Sequence, residues 1–230
     1  MLQDLTVLIP HYNSWQKLKR AVASCGSLPV LIYDDGSSDS QDELNLPNIK
    51  LHRAKKNQGV AVARDWLLKN CGTRFGLFLD ADDELTSKQY LREAVAVLNG
   101  RSDIAVVGCF ALDQYGNHKR RPLRIRPGYF LWRNPIVTSG AVMRCELARQ
   151  FEVVDPAPVR DFAEDYYLWA RLARDNVLVN LPFQGVKREH SEQSLTTRLG
   201  WRKRMYVALY TRFVIFIFFY RWKIPGAYDA

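Results

Sequence analysis

The chain has 230 residues, 47% of them hydrophobic and 12% aromatic, which is enough apolar side chain for a packed domain and excludes intrinsic disorder. The formal net charge of +9 is uneven: residues 114–145 and 193–223 each carry seven Lys/Arg and no acid, and the remainder holds 19 basic against 24 acidic residues. Cationic stretches on an acidic body point to a polyanionic partner, such as a phosphate-bearing substrate, anionic lipid head groups or nucleic acid.

Strands and helices are expected to alternate from the start. Leu5-Thr6-Val7-Leu8-Ile9 is an apolar run of strand length, and Leu18, Ala21, Val22 and Cys25 then recur at helical spacing behind a cap at Ser14. Val30-Leu31-Ile32-Tyr33 and Ile49-Lys50-Leu51-His52 read as the second and third strands. A helix follows Gly59 with Val60, Ala63, Trp66 and Leu67 on one side, and 75–79 is a fourth strand. Thr86 and Gln89 have the spacing of a capping box before a helix burying Leu91, Ala94, Val95 and Leu98, and 104–110 is a fifth strand. This alternation predicts an α/β fold, a mainly parallel sheet with helices on both faces. Beyond residue 112 the rhythm changes: 113–135 reads as a long Arg/Pro/Gly-rich loop or hairpin, 138–143 as a strand, 161–174 as a helix and 177–179 as a short strand. From Gln193 the chain is basic and aromatic, with polar residues not confined to one helical face.

Ligands of open α/β sheets bind beyond the carboxyl ends of the strands. Four strand ends here carry polar clusters: Pro10-His11-Tyr12-Asn13, Asp34-Asp35-Gly36-Ser37-Ser38-Asp39, Asn57-Gln58-Gly59 and Asp80-Ala81-Asp82-Asp83-Glu84. Each alone is a common turn composition; together they suggest one ligand site. Four acids within five residues repel one another, and a divalent cation with its preference for oxygen ligands would neutralise them and attract a diphosphate. Later in the chain, Asp161 and Glu164 stand in capping-box relation, which accounts for Glu164 locally and leaves Asp165 in the first helical turn, where the dipole keeps a carboxylate ionised.

In order and spacing these clusters resemble the motifs of the family 2 glycosyltransferases, from about residue 5 to about residue 194, with Ala63-Arg64 following the third cluster. Glu164-Asp165-Tyr166-Tyr167-Leu168-Trp169 is similar to the family's Glu-Asp motif, and Arg188-Glu189-His190 resembles its Arg-x-His motif. Two departures are Val186-Lys187, where an aromatic is commoner, and Asp65, where Asn is commoner. The resemblance implies the GT-A fold over 1–194, with a nucleotide-sugar-binding half at 1–112, an acceptor and catalytic half at 113–194, and a basic helical tail at 195–230.

It further implies an inverting, metal-dependent transfer from a nucleotide-diphosphate sugar, commonly a UDP-sugar, to a saccharide or lipid-linked saccharide in cell-surface polysaccharide synthesis. Pro10, Tyr12, Asn13, Asp34, Asp35, Asn57, Arg64, Asp80 and Ala81 would then face the donor, with Tyr12 and Asp34 at the base. Asp82 and His190 would hold Mn²⁺ or Mg²⁺, Asp165 would be the catalytic base, and Glu164 and Arg188 would support it.

Other classes fit less well. A sugar-nucleotide nucleotidyltransferase would carry a Gly-rich basic loop after the first strand, where this chain has His11-Tyr12-Asn13-Ser14. A dinucleotide oxidoreductase would need G-x-G-x-x-G there. Basic residues 119–126 have no interleaved aromatic platform, which argues against nucleic acid. Cys25, Cys71, Cys109 and Cys145 have neither zinc nor redox spacing and suit a reducing compartment. The chain opens without a charged and apolar leader, and the longest apolar run, 213–220, falls short of the ~20 residues of a spanning helix, so a cytoplasmic protein is expected. The basic, aromatic tail could touch an anionic membrane or pack on the domain or in a dimer.

Overall fold

The computed structural model describes residues 2–13, 15–39, 44, 46–113, 115–119, 121–151, 153, 163–189 and 201–221. In chain order the elements are β1 (Leu5–His11), α1 (Trp15–Cys25), β2 (Val30–Asp34), β3 (Ile49–Arg53), α2 (Val60–Asn70), β4 (Phe75–Phe78), β5 (Asp83–Leu85) and α3 (Lys88–Gly100). They continue with β6 (Ile104–Leu112), β7 (His118–Lys119), β8 (Arg124–Ile125), a 3₁₀ turn (Pro127–Leu131), β9 (Val142–Arg144), α4 (Cys145–Ala148), α5 (Glu164–Asp175), β10 (Val177–Arg188) and α6 (Trp201–Arg221).

One sheet runs β3-β2-β1-β4-β9-β6-β10-β5, with β7 on β6 and β8 on β10. Its first four strands are parallel, as the alternation of strands and helices predicts. Beyond β4 the sheet is mixed: β9 is antiparallel to both β4 and β6, β10 is parallel to β6, and β5 is antiparallel to β10. Helices cover both faces. The side chains of β1 alternate between them, Leu5, Val7 and Ile9 packing with α1 and α3 while Leu8 packs with α2 and α5.

Several expected boundaries move, for local reasons. Ser87, not Thr86, caps α3: its hydroxyl accepts from Tyr90 N at 3.0 Å, while Thr86 Oγ1 donates to the Gln184 carbonyl. The expected strand at 138–143 shortens to β9 behind a loop held by Gly140, whose φ of 92° favours glycine and whose missing Cβ leaves room for Val186 and Cys109. The short strand expected at 177–179 extends to Arg188, because the register slips around Pro182 between Asn180 and Gln184 and resumes at Val186. The expected caps at Ser14 and Asp161 lie outside the described residues.

In the tail, α6 is one 21-residue helix packed on α5 and the 3₁₀ turn. Thr211 and Ile215 are buried, and Arg212 Nη2 donates to the Trp132 carbonyl at 2.7 Å. Met205, Tyr206, Leu209, Phe213 and Phe216 are exposed. The helix is thus apolar toward the domain and apolar again away from it, which explains why its sequence shows no single polar face. Among the described residues no helix is long and apolar enough to cross a membrane.

Candidate active site

The parallel topology brings the loops after β1, β2, β3 and β4 to one edge of the sheet, and these loops bind one another. Asn13 takes a positive φ of 48°, a conformation Asn tolerates. Its backbone N–H donates to Ser37 Oγ at 2.9 Å, and its side-chain oxygen accepts from Ser38 N at 2.8 Å. Asp34 is fully buried and accepts from Ser37 N at 2.9 Å, Ser37 Oγ at 2.5 Å and Arg53 Nε at 2.8 Å. Asp35 accepts from the backbone N–H groups of Gln58 and Gly59 at 2.8 Å each, satisfying donors at the start of α2. Asp39 does the same for α1, accepting from Trp15 N at 2.8 Å. Gly36, with φ 74°, lets the Lys56–Asn57 backbone come close enough to forbid a Cβ.

Among the donor-site candidates on these loops, Asn57 and Tyr12 are exposed and Pro10 is buried in β1. Asp34 and Asp35 hold the loops in shape from beneath. The neighbouring His11 is buried with both ring nitrogens unpartnered. Burial pushes its pKa down against the pull of Asp34 and Asp39, so the ring stays neutral.

The fourth loop meets the second half of the chain through Arg64. This arginine of α2 is 6% exposed, and its guanidinium lies 5.6 Å from the centroid of the Phe78 ring. Nη2 is 2.6 Å from Asp80 Oδ1, and Nη1 donates to the buried Glu164 carboxylate. Burial opposes the Arg64 charge, but Asp80, Glu164 and Asp165 outweigh it and hold the group above its ordinary value. Among the donor-site candidates Arg64 therefore sits behind the acids, as the cation that gathers them. Glu164, the first residue of α5, makes this long-range pair with Arg64; its expected cap partner, Asp161, lies outside the described residues.

Asp165, the next residue, is half-buried and held by different partners. The Thr138 hydroxyl donates to Oδ2, and Tyr166 N donates to Oδ1 at 2.6 Å. Trp169, one helical turn on, donates from Nε1 to the same Thr138 oxygen at 3.1 Å. Thr138 thus accepts from a buried indole and hands its own proton toward the carboxylate. The i, i+4 spacing of Asp165 and Trp169 was the available sequence signal for this arrangement; their shared partner, 27 residues upstream of Asp165, was not readable.

The remaining acids lie between these anchors. Ala81 and Asp82 are half-buried, and Asp83 is buried with Oδ2 3.4 Å from Arg188 Nε across the β5–β10 pair. Burial, with Asp80 adding, pushes the Asp82 pKa up and raises that of Asp83 to about 7. Burial likewise raises Glu164 to about 8 despite Arg64. Arg188, half-exposed, is shared among Asp83, Asp80, Asp82 and Asp165. The site therefore holds more carboxylates than Arg64 and Arg188 balance, and its oxygen donors suit a hard divalent cation. Among the described residues no three His, Cys, Asp or Glu side chains gather as a complete ligand set. His190, the expected second ligand, lies outside them.

With this geometry in view, the chain was compared with known proteins. The sequence profile described as Glycosyl transferase family 2 matches residues 6–156. An uncharacterized glycosyltransferase of Escherichia coli K12, YibD, is 30% identical over 119 residues, covering 46% of this chain and 33% of that protein. The chain therefore spans about a third of this relative. Among solved structures, Staphylococcus aureus TarS 1–349 in complex with UDP-GlcNAc superposes with a TM-score of 0.72 at 18% identity, over 93% of this chain and 66% of that one. The mannosyltransferase PcManGT from Pyrobaculum calidifontis, in complex with GDP-Man and Mn²⁺, gives 0.66 at 18% identity, over 93% and 64%. At these identities the superpositions show the shared GT-A fold.

The raised carboxyls set a pH dependence of stability. Glu164 and Asp83 have folded-state pKa values above those of the unfolded chain, at about 8 and about 7. The folded protein thus binds protons that the unfolded chain has released, a contribution complete below the unfolded values and lost as pH rises through the folded ones. Without added metal, the Tm should fall between about pH 5 and about pH 8, where the two groups are protonated only in the folded state, and Glu164→Gln should reduce the fall. A Tm that is flat or rises across that interval in the parent protein contradicts the assignment.

Proposed function

The chain belongs to glycosyl transferase family 2, and from that premise we propose that it moves a sugar from a UDP-sugar to a hydroxyl of a saccharide or lipid-linked saccharide, inverting the anomeric configuration. The observation that carries this reading is the pairing of Asp80 and Glu164 on Arg64, which puts the acid loop after β4 beside a separately held Asp165. The complexes of the two superposed proteins with UDP-GlcNAc and GDP-Man support a nucleotide-sugar donor.

In this reading the nucleobase and ribose lie against the loops after β1 to β3. Tyr12, exposed at 47%, packs on the base, and Asn13, Asp34, Asp35 and Asn57 shape that wall. Asp80, Ala81 and Asp82 face the diphosphate. Asp82, with Asp80 beside it and His190 in support, would hold a divalent metal, which when bound supplies Lewis-acid charge to the departing diphosphate. Asp165 accepts the proton of the acceptor hydroxyl while that oxygen attacks the anomeric carbon opposite the leaving group. One displacement inverts the centre, so the base is the only carboxylate the chemistry must keep free. Thr138 and Tyr166 N hold it in one orientation, which limits the reorganisation needed at the reaction step.

The exposed stripe on α6 supports work at a membrane surface. Tyr206, Leu209, Phe213 and Phe216 share one helical face, and the exposed Arg202 and Arg212 flank it. Full-length protein should bind phosphatidylglycerol vesicles in a salt-sensitive manner, and Phe213→Glu should abolish the binding. Absence of binding at low salt would remove the membrane from this reading.

Turnover of UDP-sugars, followed as UDP release, tests the chemistry. EDTA should suppress it, and Asp165→Asn should lower kcat at least about 100-fold with UDP affinity changed less than about twofold. Glu164→Gln retains an oxygen to accept from Arg64 and should keep most of the turnover. Equal losses in the two variants would move the base role to Glu164, and full activity in EDTA would end the metal assignment.

A further inference from the structure

The segment between β6 and β9 carries arginines to which the donor chemistry assigns no role. Arg121 belongs to the stretch 114–145, which contains seven Lys/Arg and no acid. Its side chain is half-buried, and among the described residues its one hydrogen bond runs from Nη1 to the Asn134 carbonyl at 3.0 Å. Its Nε is buried and has no partner among the described residues. Burial pushes the Arg121 pKa down, and among the described residues Arg133 and Arg188, both of its own sign, add to that. Arg188 is drawn toward Asp83 and supplies no counter-charge. A partly desolvated guanidinium near other cations is costly, and an anion beside it relieves that cost.

The place of this group suggests which anion. Asn134, which anchors Arg121, is four residues before Thr138, which holds Asp165. Four residues span at most about 14 Å, so Arg121 stands within a short saccharide's length of the base. Arg188 also lies within electrostatic reach of Asp165. The residues that would hold the donor are on the loops after β1 to β4, whereas Arg121 and Arg133 come from the segment between β6 and β9. A single carboxylate is satisfied by one guanidinium fork, whereas several arginines near one another match the oxygens and charge of a phosphate.

We propose that Arg121, Arg133 and Arg188 form an anion subsite on the acceptor side that takes a phosphate group, so that the acceptor is a phosphate-bearing saccharide or lipid. This rests on the glycosyltransferase reading above for the word acceptor, but the subsite itself is defined by the arginines. A phosphate group could also arrive as part of the donor, and the test separates the two sources.

Inorganic phosphate is titrated calorimetrically into the full chain, with and without saturating UDP and Mn²⁺, for the parent, Arg121→Gln and the exposed Arg133→Gln. The subsite predicts that phosphate still binds the UDP-loaded parent. Each substitution should weaken it, Arg121→Gln by at least about 10-fold, with UDP affinity changed less than about twofold. Sodium glucuronate in place of phosphate should bind at least about 10-fold more weakly. If UDP displaces phosphate, or if UDP affinity falls in step with phosphate affinity in the variants, the arginines serve the donor and the proposal is overturned. Equal phosphate affinity in parent and variants, no phosphate binding at all, or glucuronate binding as tightly overturns it too. Should the parent fail to bind UDP, the donor reading fails, while the phosphate titration without UDP still judges the arginines. Arg133→Gln keeps the test readable if Arg121→Gln does not fold.

Discussion

One buried guanidinium facing more carboxylates than it can balance is the constraint on which the site depends. Arg64 reaches Asp80, 16 residues on, and Glu164, 100 residues on. Removing charge from water is expensive, and a buried ion pair is weak evidence of net stability. Its effect here is positional. From α2, Arg64 joins the end of β4 to the start of α5, two elements far apart in the chain, and it helps fix where the first turn of α5 lies. Asp165 follows Glu164 directly, so the orientation of the proposed base is inherited from a contact it does not itself make. Thr138 and Trp169 then complete that orientation from the other side.

The same imbalance accounts for the charge distribution of the whole chain. Carboxylates at Asp80, Asp82, Asp83, Glu164 and Asp165 crowd a region where burial already raises several of their pKa values. Such a region is electrostatically unfinished, and a divalent cation with a nucleoside diphosphate would complete it. On the other side stand Arg121, Arg133 and Arg188, where cations outnumber acids. An acidic body with basic stretches is the compositional trace expected of the proposed site, acidic toward the donor and basic toward the acceptor. A third region is the exposed stripe with Arg202 and Arg212 on α6, the helix packed against α5 and the 3₁₀ turn.

Much of the first half was readable because its signals are local. β1, β2 and β4 are apolar runs, α1 and α3 repeat their apolar residues at helical spacing, and the polar clusters follow the strands whose ends they occupy. The second half obeys distant contacts. β5 and β9 have three residues each, too few for a pattern, and β10 is interrupted by Pro182 and a register slip. Glu164 shows the limit most clearly: nothing in its sequence neighbourhood points to Arg64, 100 residues away. The α3 cap was misplaced by one residue because Thr86 and Ser87 are both competent caps and only the position of the Gln184 carbonyl decides between them. Thr138 carries no local sign of its function, since its hydroxyl acquires meaning only from Asp165 and Trp169.

If Arg64 fastens the donor half to the acceptor half, its energetic coupling to Glu164 should be measurable without any substrate. A double-mutant cycle with Arg64→Met, Glu164→Leu and the combined variant, each single change removing the contact, read by urea unfolding at constant m-value, isolates that term. The account predicts a coupling above about 1 kcal/mol, with the double variant less destabilised than the sum of the single ones. Additivity of the two substitutions within about 0.5 kcal/mol would contradict it.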